Sequence, residues 1–467
     1  MVVRALAVVG VGGAIALPAY AASSTSQAAP PPYQHFRSRP DLRPPPIRIL
    51  KHTRRTSSGY VFIAPKKEVA QAGPLILDNR GQVVWFLPVP SPGATDFRLQ
   101  HYRGRPVLTW WRGRSEDGDD VGRYSIYDSS YRLVKQVLPA NGLSGDMHEF
   151  VLTRRNTALM TLSHSVSVKG RTVLEGAFQE IDLATGRAVF EWHSIDHVRL
   201  VESYYRLPRN SDRTYDYFHI NSIEVEPDGN FLVSARNTHT IYKVSRRTGR
   251  ILWRLGGRRS DFSFGRGARF AWQHDIRRRS DGALTLFDNE AAPKLRKQSR
   301  GLILRLDVKR RRAAVIRTFV HAPSLVAVDQ GNMQRLANGH YFVGWGHEPY
   351  FTEFGPRGKT VFDGRFGRGH VDSYRAYRFR WIGRPTSRPA VALDGDAVFV
   401  SWNGATEVRS WELLGGLKRG GLAPLRSVPK KGFETKIRLP DGVDYLAVRA
   451  LDRENRSMAR SATLHRD

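Results

Sequence analysis

A repeat constrains this chain more than any other feature. Turn-forming clusters of Asp, Asn and Gly recur between short β-branched and aromatic runs, the pattern of an all-β protein. One hairpin class returns six times, at residues 78–85, 128–134, 182–190, 246–253, 307–315 and 355–362. Its spacing averages about 55 residues, in the range of propeller-type repeats. Six units of four short strands suit a six-bladed β-propeller, whose radial repetition leaves only short exposed edges. A serial array of β-sandwiches is the alternative. Residues 374–381 alternate in polarity and could close a ring against residues 60–64. A second hairpin series interleaves with the first, at Arg155-Asn156, Asp228-Gly229-Asn230, Asp281-Gly282-Ala283 and Ala337-Asn338-Gly339. These read as the inner hairpins of the units.

The ends of the chain differ in character. Met1-Val2-Val3-Arg4, the apolar run from Ala5 to Leu17 and Pro18-Ala19-Tyr20-Ala21 have the three parts of a secretory signal peptide. The run is shorter than the ~20 apolar residues that span a bilayer. Residues 1–21 are therefore predicted to be a signal, and the protein to be secreted or held in the cell envelope. Residues 22–58, with Pro30-Pro31-Pro32 and Pro44-Pro45-Pro46, read as a linker or a surface-wrapped segment rather than a core element. The propeller is predicted over 59–384. Alternating strands at 397–402, 408–413, 433–439 and 445–450 predict a β-sandwich of the fibronectin type III kind over 385–467.

Lysine plus arginine number 74 against 43 aspartates and glutamates, a formal charge of +31. Such an excess draws anions: acidic substrates, anionic envelope polymers or nucleic acid. Export makes genomic nucleic acid an unexpected partner and argues against a cytosolic nucleotide cofactor. The chain has no cysteine, which excludes disulfides, thiol nucleophiles and cysteine–zinc sites.

The histidines fall in register on the inner hairpins. His148 lies eight residues before Asn156, His219 ten before Gly229 and His274 eight before Gly282. Three successive units thus place an imidazole near the same end of the same strand, and innermost propeller strands line a central channel. Arg236, on the return strand after Gly229, comes back to that end. Asn221 stands two residues from His219, on the same face of a regular strand. His101 is out of register. His193 and His197 are spaced i, i+4 and could grip a metal on a helix, although no third ligand is near in sequence.

Three strings carry a resemblance: Asp146-Met147-His148-Glu149-Phe150; Phe218-His219-Ile220-Asn221-Ser222 with Ser234-Ala235-Arg236-Asn237; and Trp272-Gln273-His274-Asp275 with Leu286-Phe287-Asp288-Asn289. From about Gly59 to Trp381 the chain resembles the bacterial arylsulfotransferases, in their actinobacterial and fungal branch. The resemblance implies a six-bladed propeller and transient sulfation of the third histidine, His274. It also implies that His148, His219, Asn221 and Arg236 bind and polarise the sulfuryl group. An aryl sulfate would be the donor and a phenol the acceptor, with no cofactor and no metal. The enterobacterial type carries an N-terminal sandwich and a disulfide, which this chain lacks, so substrate entry and oligomeric state do not transfer.

The chemistry suits these groups. A neutral imidazole nucleophile divides sulfuryl transfer into two steps through a covalent intermediate, and a nearby cation such as Arg236 disfavours its protonation. Arg236 and Asn221 would donate to the sulfuryl oxygens, and His148 or His219 would move the phenol proton. Two alternatives stay open at this stage: a metal held by the three histidines with an open fourth position, and a non-catalytic exported propeller that binds acidic envelope polymers.

Overall fold

The computed structural model describes residues 30–116, 119–210, 212–291, 294–295 and 297–466. The predicted signal peptide lies outside them. The chain divides into two units, Met1–Pro30 and Pro31–Asp467, and the fold lies in the second. None of its helices is long and apolar enough to cross a membrane. The described residues are all-β, with only two single-turn 3₁₀ segments, Ser194–Asp196 and Leu200–Glu202.

The predicted inner turns fall where the sequence puts them. Gly229, Gly282 and Gly339 each adopt φ +82° between antiparallel strands, a left-handed conformation that glycine reaches without steric cost. The predicted closure also occurs. Tyr60–Ile63 pairs antiparallel with Tyr377–Phe379, Phe62 opposite Tyr377. Residues over 300 positions apart thereby share one four-stranded sheet with Leu75–Leu77 and Val83–Phe86.

The repeat region forms five main sheets rather than six. Two expected units are fused into one nine-stranded sheet running from Thr95–Tyr102 to Ala188–His193. The seam is a single pair, Gly145 opposite Gly122. Trp111 packs against Gly113 and Gly122, where an added Cβ would meet its ring, and its indole N–H donates to the Gly145 carbonyl at 2.8 Å. Bare backbone on both sides lets the two units approach closely enough to hydrogen-bond.

The predicted linker needs correction. Ile47–His52 is an edge strand paired with Thr360–Phe366, and Leu42 is buried among Val61, Phe342 and Phe362. The alternation of Ile47 and Ile49 with charged residues supplies a half-buried face that the surrounding prolines obscure in the sequence. Upstream, Ser38 bonds Glu434 and Ser401.

Beyond residue 385, a three-stranded and a five-stranded antiparallel sheet share one core. Val398, Val400 and Ile437 of the first meet Trp411, Leu413, Leu446 and Val448 of the second. Asn403 anchors this layer to the strand edge at Phe86, donating to its carbonyl at 2.9 Å and accepting from its N–H at 3.0 Å.

Candidate functional site

A cavity of about 780 Å³ is lined by His148, His219, His274 and Arg236, together with Asp146, Asp216, Gln330 and Tyr374. The chain brings four of the five predicted site residues to one place. The rings of His148 and His219 stand 4.8 Å apart, edge to face. Tyr374 lies between the histidines, 5.5 Å from the ring of His148 and 6.5 Å from that of His274.

Each imidazole has a different partner and so a different proton. His148 presents Nδ1 to both oxygens of Asp146, at 2.7 and 2.9 Å. Burial works to lower its value, but the Asp146 carboxylate, with Asp120 and Asp216 behind it, outweighs burial and holds His148 above the usual histidine value. Against its own burial, Asp146 is driven down to about 2, chiefly by His148. His219 faces Asp216 through Nδ1 at 2.5 Å. There burial prevails over the carboxylate, and His148 and Arg236 add to it, so His219 sits below the usual value.

His274 is buried and lies well below the usual value, through burial first and the Arg236 charge second. Its Nδ1 is 2.8 Å from Asn289 Oδ1 and 3.1 Å from the Trp272 carbonyl. Asn289 Nδ2 donates to the carbonyls of Ala327 and Gln330 at 3.0 and 2.9 Å, which settles the orientation of its amide. Nδ1 therefore carries the proton. Nε2 is left with its lone pair and accepts from the Gln330 backbone N–H at 3.3 Å.

Arg236 is placed by a backbone bond from its N–H to the His219 carbonyl, 2.9 Å. Its guanidinium lies over the Trp272 ring at 5.1 Å, and Nη1 donates to Asn237 Oδ1. Among the described residues no carboxylate pairs with it, so its charge is left to the cavity.

Asn221 departs from expectation. It is buried outside the cavity lining, with Nδ2 donating to the Gln273 carbonyl at 2.7 Å. His219 has φ +56° and the ladder shifts register between Ile220 and Ser222. A left-handed residue ends the two-residue alternation on which the shared face depended. Asn221 instead bonds Gln273 just before the next unit's inner strand, and its carbonyl accepts from Tyr374 and Arg375 of the closing segment.

Sequence reasoning assigned no role to Asp146, Asp216, Asn289 or Tyr374. The first and third stood inside the quoted strings, Asp146 two residues before His148 and Asn289 at the end of the string that accompanies His274. Tyr374 and Asp216 carried no such signal. His193 and His197 do not form a pair. His197 stacks on Trp192, while His193 turns to Glu175 and Glu191.

Beneath the cavity lies an ionic cluster. Glu149, next to His148, receives Arg277 Nη2 at 2.7 Å and Arg375 Nη1 at 3.0 Å, and also pairs with Arg98. Asp96 pairs with Arg98 and Arg375, and Asp275, next to His274, with Arg277. Arg98, Asp275 and Arg277 also border a larger cavity, about 1000 Å³, which contains His101 but none of the three clustered histidines. The clustered histidines thus line the smaller cavity, with paired charges at the residues next to two of them, Glu149 and Asp275.

The family described as arylsulfotransferase (ASST) matches residues 98–367, a span holding all three histidines and Arg236. No curated protein matches the chain significantly. Similar solved structures include a Bacteroides caccae protein of unknown function, 11% identical, TM-score 0.41, covering 68% of this chain and 98% of that one. Another is a catalytically inactive virginiamycin B lyase from Staphylococcus aureus with quinupristin, at 10% identity, TM-score 0.33, and 77% and 96% coverage. A third is regucalcin, a calcium-binding protein from Agrobacterium tumefaciens, at 14% identity, TM-score 0.32, and 64% and 79% coverage. With the family matching more than half of the chain's length, across the strands that converge on the cavity, the chain belongs to the arylsulfotransferases and is an aryl sulfotransferase.

Proposed function

We propose that the protein transfers a sulfuryl group from an aryl sulfate ester to a phenol through a sulfohistidine at Nε2 of His274. The observation that carries this reading is the commitment of His274 Nδ1 to Asn289, which leaves a neutral, buried Nε2 lone pair in a cavity with a guanidinium that makes no ion pair among the described residues. In the first step this lone pair releases the Gln330 N–H and attacks sulfur. The bond from sulfur to the aryl oxygen breaks, and its electron pair leaves as phenolate. His148, kept protonated by Asp146, gives that phenolate a proton. In the second step the neutral His148 takes the proton of the acceptor phenol, whose oxygen attacks sulfur. The bond from sulfur to nitrogen breaks and its pair returns to Nε2. Arg236 stabilises the charge on the sulfuryl oxygens throughout, and His219 supplies a further polar contact. Asn221 acts through position, joining neighbouring strands, rather than as a donor to substrate.

The domain reading belongs to the same proposal: a six-bladed propeller, counting the nine-stranded sheet as two blades joined at Gly122 and Gly145, with a fibronectin-III-like layer at the C-terminal end. Export to the envelope or beyond is supported by the N-terminal apolar segment, and needs no nucleotide sulfate donor. The +31 charge suits anionic donors.

The test is intact mass after incubation with an aryl sulfate. One sulfuryl group should appear, a phenol should remove it, and His274→Ala should never acquire it. Asp120, Asp146 and His148 also group donor atoms within 4.8 Å, and carboxylates behind imidazoles are common at metal sites. Stoichiometric metal lost on His219→Ala, with no sulfuryl adduct, would replace the proposal with a metal-dependent one. Salt-sensitive polyanion binding indifferent to His274→Ala, again without adduct, would leave only a binding protein.

A further inference from the structure

A second histidine cluster takes no part in the sulfuryl chemistry. His164, Glu175 and His193 stand on three adjacent strands of the nine-stranded sheet, Thr157–Val168, Arg171–Asp182 and Ala188–His193. His164 lies directly opposite Glu175 in the ladder, and His193 opposite Ala177. Both histidines present Nδ1 to the same carboxylate oxygen, Glu175 Oε1, at 2.7 and 2.8 Å. Their rings are 5.6 Å apart at 70°, and all three donor atoms lie within 4.8 Å of one another. Glu175 is buried on the cavity wall and its second oxygen accepts from the Ile195 N–H.

A supporting layer lies behind this cluster. His193 Nε2 meets Glu191 Oε1 at 2.9 Å. The other oxygen of Glu191 is held by Asn141 Nδ2 at 2.8 Å and Gln179 Nε2 at 2.5 Å. A carboxylate that orients the far nitrogen of a ligating imidazole is the usual outer partner of a bound metal. The charge environment points the same way. In a chain with 74 lysines and arginines, neither Glu175 nor Glu191 pairs with one among the described residues. Among the described residues, the ionisable partners of both carboxylates are histidines.

We propose that His164, Glu175 and His193 form a binding site for a divalent cation of the zinc class, with Glu191 as the outer carboxylate. Two imidazole nitrogens and one carboxylate oxygen are a donor set that Zn²⁺ prefers, with a fourth position left for water or another ligand. Binding needs each Nδ1 to give up the proton it shares with Glu175 Oε1 and each ring to carry its one remaining proton on Nε2, which in His193 faces Glu191 Oε1; any proton beyond that one is released to solvent. The ion would tie three strands together along one wall of the sulfuryl cavity.

Zinc chloride titrated calorimetrically into the full chain, freed of metal by chelator, tests the site. The expected result is one Zn²⁺ per chain and a rise in thermal midpoint on saturation. His164→Ala and His193→Ala should each weaken binding more than tenfold and abolish the rise. His164 is the most exposed of the three, its side chain 35% accessible, so its variant should keep the midpoint of the zinc-free protein. Glu191→Gln should weaken affinity about 10–100-fold while keeping the stoichiometry. His274→Ala should bind zinc like the unmodified chain, which separates this site from the one proposed for sulfuryl transfer. Absence of binding at millimolar zinc overturns the proposal. So does binding that survives in the His164→Ala, His193→Ala double variant, or that disappears in His274→Ala.

Discussion

Asn289 determines which nitrogen of His274 carries a proton. Its Oδ1 accepts from His274 Nδ1 at 2.8 Å, and its amide N–H groups are taken by the carbonyls of Ala327 and Gln330. The asparagine cannot rotate without losing two buried hydrogen bonds, so the imidazole cannot exchange tautomers.

Asn289→Ala should therefore lower kcat/KM by about 10²-fold or more, since tautomer and orientation are lost together. Asn289→Asp places a carboxylate beside the ring and favours imidazolium. Its acid limb of activity should move to higher pH. An unmoved limb in a folded Asn289→Asp variant would show that His274 is not the titrating nucleophile.

Arg236 acts on both charge and proton. Arg236→Met should reduce kcat by about 10²–10³, the usual effect of losing one preorganised donor. After burial, Arg236 is the largest influence holding His274 below its ordinary value. Its removal should also raise the acid limb of the pH–rate profile. Steady-state kinetics on an aryl sulfate between pH 4 and 9 would read both effects.

The Asp146–His148 pair should set the basic limb. His148 is held above the usual histidine value by Asp146; without the carboxylate, burial dominates and the proton is lost at lower pH. Asp146→Asn should shift the basic limb downward and slow the step that releases phenolate most for poor leaving groups. There is a matching effect on stability. Asp146 titrates at about 2 in the folded chain against about 4 in an unfolded one. The stabilisation it gives is present above pH 4 and fades as pH falls toward 2. Urea unfolding across that range should show a shallower loss in Asp146→Asn.

Arg375 is fully buried among Asp96, Glu149 and the Asn221 carbonyl. Arg375→Met takes one cation from two buried acids, leaving Asp96 with Arg98 and Glu149 with Arg98 and Arg277, and should cost up to about 3–5 kcal/mol of stability. The same variant with Glu149→Gln should recover part of that loss. Thermal unfolding of the two proteins, compared with the unmodified chain, measures it.

Much of this organisation can be read along the chain. Turn chemistry is local, so Asp-Gly-Asn and Asp-Gly-Ala marked inner hairpins that fold as expected, each glycine at φ +82°. The equivalent histidines His148, His219 and His274 were visible because a repeat carries like positions to like places. Where the local period broke, sequence reasoning failed. The left-handed His219 turned Asn221 away from the cavity, and glycines at 122 and 145 joined two units into one sheet. A left-handed histidine leaves no mark in the residue string, and a glycine seam looks like any other turn.

What the sequence determined by itself is the strand-and-turn grammar, the family and the three histidines, because each rests on neighbours or on a repeated spacing. The tertiary structure alone decided the protonation of those histidines, the ionic cluster beside them and the meeting of His164 with His193. These depend on burial and on charges hundreds of residues apart, such as Glu149 and Arg375. An electrostatic interaction falls off with distance in space, and distance along the chain does not report it.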